Sequence, residues 1–72
     1  MDRYEKLANA IILQAVKDYR DALKTLWRNP NNMSANAVKS EVERFFRSGW
    51  YTVLTSVDGE TLIRKLQEEA SE

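Results

Sequence analysis

From Arg3 to Arg28 an apolar residue, or an adjacent pair, recurs every three or four positions with no glycine or proline between: Tyr4, Leu7/Ala8, Ile11/Ile12, Ala15/Val16, Tyr19, Ala22/Leu23 and Leu26/Trp27. This spacing predicts one amphipathic helix of about seven turns. The apolar positions sweep roughly 200° of its circumference, against the ~100° stripe that a surface helix needs. Such an arc is too wide for a single neighbour. Either two other elements pack on it, or part of it meets another subunit.

The rest of the chain has to supply those neighbours without chemical staples. Its 72 residues include no cysteine and no histidine, so disulfides and thiolate metal sites are excluded, as are the usual general base, zinc ligand and near-neutral pH switch. A chain this short holds one core and reads as a single helical domain, residues 1–72. Helix packing or self-association must stabilise it. Two glycines and one proline are too few for the turns of a sheet. The fold class is therefore all-α: a small bundle in which one long N-terminal helix is packed by two to three shorter ones.

The stretch "RNPNNMSAN" ends the first helix, because Pro30 disfavours helix at Asn29 and the asparagines favour turns. Ser34 or Asn32 can cap a second helix, about 34–47, with Ala35, Val38, Val42, Phe45 and Phe46 on one face. "RSGWY" then breaks it. Gly49 reads as a left-handed stop, and Ser48 as the cap of a short helix through Thr55. Asp58 caps a last helix, about 58–69, with Leu62, Ile63 and Leu66 inward, before "QEEASE" frays.

The segments "ERFFRSGWYTVLTSVDGETLIRKL" and "AIILQAVKDYRDALKTLWRNPNN" resemble short proteins encoded by phages and integrated elements of low-GC Gram-positive bacteria. The resemblance covers most of the chain and implies context: an accessory gene on a mobile element, of a kind that often encodes regulators or proteins that blunt host defences. It implies no activity and no site residue.

Charge narrows the partner. Lys plus Arg and Asp plus Glu are 11 each, without the basic excess that non-specific nucleic-acid binding draws on. No apolar run approaches a membrane span and "MDRYEKLANA" is charged throughout, so the expectation is a cytoplasmic protein with no membrane association. Catalysis has little to work with. The carboxylate pairs Asp58/Glu60 and Glu41/Glu43 are explained as a cap and as solvated helix residues, Ser48 and Ser56 lack a histidine, and no phosphate loop exists. No enzyme activity, cofactor or metal is expected.

Two sets of residues remain as binding candidates. Lys6, Lys17, Arg20, Lys24 and Arg28 project within roughly 80° of one another on the first helix. Their plainer reading is a solvated face, with Leu13 in its midst suiting a subunit contact beside Ile12, Val16 and Trp27. Arg44 and Arg47 lie opposite the phenylalanines, beside Trp50 and Tyr51, where an arginine fork and a ring can hold an anion. Their plainer reading is a brace to Asp18, Glu43 or Asp58. Phe45, Phe46, Trp50 and Leu54 are expected to form a core wedge, with Arg44, Arg47 and Tyr51 as its outward rim.

The functional expectation is a small non-enzymatic binding protein that self-associates through its first helix. It would engage a host protein or an anionic nucleotide through Arg44, Arg47, Tyr51, Arg20, Lys24 and Arg28, with a counter-defence setting in view. The alternative is a small dimeric helix-turn-helix regulator. Nucleic acid ranks lower because the would-be recognition helix, "GETLIRKLQEEASE", sets Arg64 and Lys65 against Glu60, Glu68, Glu69 and Glu72.

Overall fold

The computed structural model describes residues 3–71, and among them there are four helices and no strand: α1 (Arg3–Arg28), α2 (Met33–Phe46), α3 (Gly49–Leu54) and α4 (Gly59–Ala70). Helix α1 runs the length of the molecule, and α2, α3 and α4 pack against it. Part of the wide apolar arc of α1 thus meets neighbours within the chain, while Tyr4, Leu7 and Trp27 of the same arc stay exposed. Val16, Tyr19, Val42, Phe46, Tyr51, Ile63 and Leu66 form the core, with Ile12, Leu23, Val38, Phe45 and Leu62 packed on its edge.

Side chains close each helix end. Between the capping candidates it is Asn32 that starts α2, accepting the Ala35 N–H at 2.8 Å, while Ser34 is exposed on the helix. The Asn36 amide then donates to the carbonyls of Pro30 and Asn32, at 3.2 and 3.0 Å, and ties the turn down. Asp58 starts α4 by accepting both the N–H and the hydroxyl of Thr61, at 2.9 and 2.8 Å. The tail expected to fray instead stays helical to Ala70, where Ser71 donates its N–H to the Gln67 carbonyl at 3.2 Å.

The junction after α2 departs from the sequence expectation. Gly49 is not a left-handed stop, for no glycine among the described residues has positive φ. Ser48 makes the turn from an extended conformation. Its hydroxyl donates to the Phe45 carbonyl at 2.7 Å and accepts the Tyr51 N–H at 3.2 Å, ending one helix and starting the next.

That change of turn rotates α3 and exchanges two aromatic roles. Tyr51, expected at the outward rim, is 1 % exposed, while Trp50, expected in the core, is 57 % exposed. Consecutive helical residues point about 100° apart, so only one of the pair can face inward. Tyr51 packs edge-on against Phe45 and Phe46, at 5.7 and 5.6 Å between centroids, whereas the Trp50 ring packs edge-on against Phe45, at 5.6 Å. Edge-to-face packing at these separations is the arrangement ring quadrupoles favour. Of the expected wedge, Phe46 is fully buried and Phe45 and Leu54 are half-buried.

Candidate functional site

Among the cationic candidates Arg47 stands at the end of α2, while Arg20 and Lys24 share one recess and Lys24 and Arg28 another, both against the end of α4, and Arg20 and Arg47 are engaged. Arg47 reaches from the end of α2 to Glu60 in the first turn of α4, with Nε donating to one carboxylate oxygen and Nη2 to the other at 3.5 Å. It also lies 3.9 Å from Glu43. Its partners are therefore Glu60 and Glu43, and Asp58 is not among them. Arg20 donates to both oxygens of Glu69, at 2.8 and 3.2 Å, joining α1 to the end of α4. Glu60 and Glu69 are nine positions apart on α4, about 14 Å along its axis, so the two arginines brace opposite ends of one helix.

Lys24 and Arg28 line a shallow depression with Trp27, Ala70 and Ser71. This sets them beside the C-terminus of α4, whose own last turn has no basic residue, and cations there offset the helix dipole. Arg44 is exposed and makes no ion pair among the described residues. Asp18, expected to need an arginine, instead accepts a hydrogen bond from the Gln14 amide at 3.0 Å. Tyr51 lies inside the fold rather than beside the arginines.

A network that sequence reasoning missed crosses the centre. The buried Tyr19 hydroxyl donates to Glu43 Oε2 at 2.6 Å and accepts from the Gln67 amide at 3.0 Å, linking α1, α2 and α4. Burial pushes the Tyr19 phenol well above its ordinary value, and the hydrogen bond to Glu43 pushes it the same way. Burial also acts on Glu43 to raise its carboxyl. Hydrogen bonds from Lys39 and Tyr19, with the charges of Lys39 and Arg47, outweigh that and leave it below the ordinary 4.5. Glu43 is thus not the solvated helix residue that its pairing with Glu41 suggests, and it stands near Arg47 as the bracing reading expects. The available signal was its position four residues after Lys39 and four before Arg47, which stacks three charges on one helix face.

A groove of about 550 Å³ runs along the seam of α1 and α2. Its floor is Ala22, Ala35, Val38 and Val42, where the two alanines are too short to fill the seam. Asp18 and Asp21 of α1 and Glu41 of α2 stand around it, and no cationic residue lines it. None of these three carboxylates takes part in an ion pair among the described residues. Nor do acidic side chains converge there, or elsewhere among the described residues, in a group able to hold a metal. The groove therefore presents an apolar strip with dispersed negative charge, in a chain whose charges balance overall.

Comparison with protein-family models, curated proteins and solved structures finds no match. No helix among the described residues is long and apolar enough to cross a membrane. The chemistry of the surface thus carries the functional reading by itself. It offers an apolar groove edged by three carboxylates, and among the described residues Arg20 and Arg47 are paired with carboxylates of the chain itself.

Proposed function

We propose that this chain is a small non-enzymatic binding protein that holds a cationic amphipathic segment of a protein partner in the α1–α2 groove. The observation that carries the reading is the apolar floor of Ala22, Ala35, Val38 and Val42 ringed by Asp18, Asp21 and Glu41, carboxylates that no cation of the chain neutralises by an ion pair among the described residues. Apolar anchors with flanking charges are how an amphipathic helix is recognised in a groove, and the charges select against acidic competitors. A host protein as that partner and counter-defence as the setting are part of the proposal and rest on the resemblance of the sequence to phage and integrated-element proteins.

Self-association through α1 belongs to the same reading. It rests on Leu13 and Trp27, 67 % and 73 % exposed, on the side of α1 away from the groove. The anionic-nucleotide reading has less support, because Arg20 and Arg47 would have to leave Glu69 and Glu60 to bind phosphate. The DNA-regulator reading has little: α3 is six residues long, and both ends of α4 are held by ion pairs.

The test is a titration of the ¹⁵N-labelled protein with a synthetic Leu/Lys amphipathic helical peptide. Saturable shifts confined to residues 18–25 and 32–42 are expected. Shifts elsewhere, or none, would remove the groove from the account.

A further inference from the structure

On the outer side of α1, Leu13, Lys17, Arg20, Lys24 and Trp27 follow one another at alternating steps of four and three residues, and all five are exposed. That spacing keeps them within roughly 80° of one another, as a ridge about 21 Å long. Leu13 and Trp27 are its apolar ends, and the cations between them carry long aliphatic stems. Arg20 is tied to Glu69. Lys17 and Lys24 make no ion pair among the described residues, although Asp21 stands one turn from each.

The α1–α2 groove is the chemical complement of this ridge. Asp18, Asp21 and Glu41 edge it, its floor is apolar, and no cation lines it. The short side chains of Ala22 and Ala35 leave room for a lysine stem, and lysine lays its stem on apolar surface while its head seeks an anion. On α1 the groove runs from Asp18 to Thr25, about 10 Å, the same span that separates Lys17 from Lys24. Ridge and groove lie roughly 130° apart around one helix, so a chain cannot place its own ridge in its own groove. A second copy can. The chain has no net charge to hold copies apart, and it sets its unpaired lysines and its unpaired carboxylates on different faces.

We propose that the groove is occupied by the Leu13–Trp27 ridge of a second copy of this chain. The proposal rests on the reading of the groove as a docking site and adds its competitor: a foreign segment has to displace a neighbouring copy. Once a ridge is docked, that copy's own groove faces away from the contact and is open to a third. The contact is therefore heterologous and continues past a dimer.

Sedimentation velocity across a micromolar dilution series tests this with two charge reversals and their combination. Lys17→Glu/Lys24→Glu reverses the ridge and Asp21→Lys/Glu41→Lys reverses the groove edge, all at exposed positions. Wild type should pass twice the monomer mass as concentration rises. Each double variant should associate about tenfold more weakly or worse. The quadruple variant, with net charge unchanged, should recover association. Excess Leu/Lys amphipathic peptide should return wild type to monomers, a measurement that needs no variant to fold. A wild type that stays monomeric or stops at a dimer overturns the proposal. So does a double variant that associates as wild type does, or a quadruple variant that folds and stays monomeric. Peptide that shifts residues 18–25 and 32–42 while the assembly stays intact overturns it as well. If the quadruple variant recovers assembly but the peptide fails to bind Lys17→Glu/Lys24→Glu, whose groove is open, self-docking is supported and only the foreign segment is lost.

Discussion

Tyr19 of α1 is tied to both α2 and α4 by its hydroxyl, which donates a short bond to the Glu43 carboxylate and accepts one from Gln67. Tyr19→Phe keeps the ring against Phe46 and removes that bond, which should cost about 1.5–2 kcal/mol, read as a fall in melting temperature. The same network sets the response to pH. Glu43 and Asp58 both have carboxyls below their ordinary values, Glu43 because its hydrogen bonds outweigh burial and Asp58 through its bonds from Thr61. A depressed carboxyl contributes stability fully above its unfolded value and loses it as pH falls through the native one. The melting temperature should therefore be flat above about pH 5 and fall toward pH 3, and Glu43→Gln should make that fall shallower. At the alkaline end the sign reverses: Tyr19 and Tyr51 are raised, chiefly by burial, so their contribution is complete below their ordinary value of 10 and lost as pH climbs past it. A melting temperature that climbs from pH 5 to pH 3 would contradict this account. Arg47→Ala, by contrast, removes a brace whose partners are both largely exposed, and should lower stability by no more than about 1 kcal/mol.

Among the elements, the glycines separate what the sequence made legible from what it hid. The helices themselves were legible, because the three-and-four spacing, Pro30, Ser48 and Asp58 are local signals that physical chemistry ties to local structure. Which glycine matters was not, since that depends on how closely two helices approach. Gly49, read as the special one, has open space around it, whereas a Cβ on Gly59 would run into the Phe46 carbonyl oxygen. The end of α2 rests on the start of α4 there, and backbone cannot move aside as a side chain can. Gly49→Ala should be neutral or stabilise by about 0.5 kcal/mol, while Gly59→Ala should destabilise by about 2–3 kcal/mol. Thermal melts of the two variants, side by side, check the contrast. The exchange of Trp50 and Tyr51 was hidden for a related reason: the phase of a six-residue helix is set by the turn before it, and periodicity over so short a run does not fix it. The carboxylate groove was illegible because Asp21 and Glu41 become neighbours of one seam only when α1 and α2 fold together. Phe46, the one residue of the expected wedge that is fully buried, should cost about 3–5 kcal/mol on truncation to alanine, enough to unfold a domain of this size.

At the scale of the whole molecule, the surface is more apolar than a small solitary bundle needs. Tyr4, Leu7, Leu13, Trp27, Met33, Trp50, Val53 and Val57 are all exposed. Burying part of that area between copies offsets a small core, and this motivates the expectation of a dimer or larger species at micromolar concentration. Light scattering across a dilution series should show the mass falling with concentration, and a constant monomer mass with a high melting temperature would contradict self-association. Binding in the α1–α2 groove, as proposed, draws on its charge and its apolar surface together. Calorimetric titration of the Leu/Lys amphipathic peptide into wild type and into Asp21→Lys/Glu41→Lys, at low and high salt, tests it most directly. Reversing the two charges should weaken binding about tenfold or more, or ~1.4 kcal/mol, and salt should weaken wild-type binding more than the variant's. Equal affinity of the two proteins for the peptide, with the same salt dependence, would contradict it.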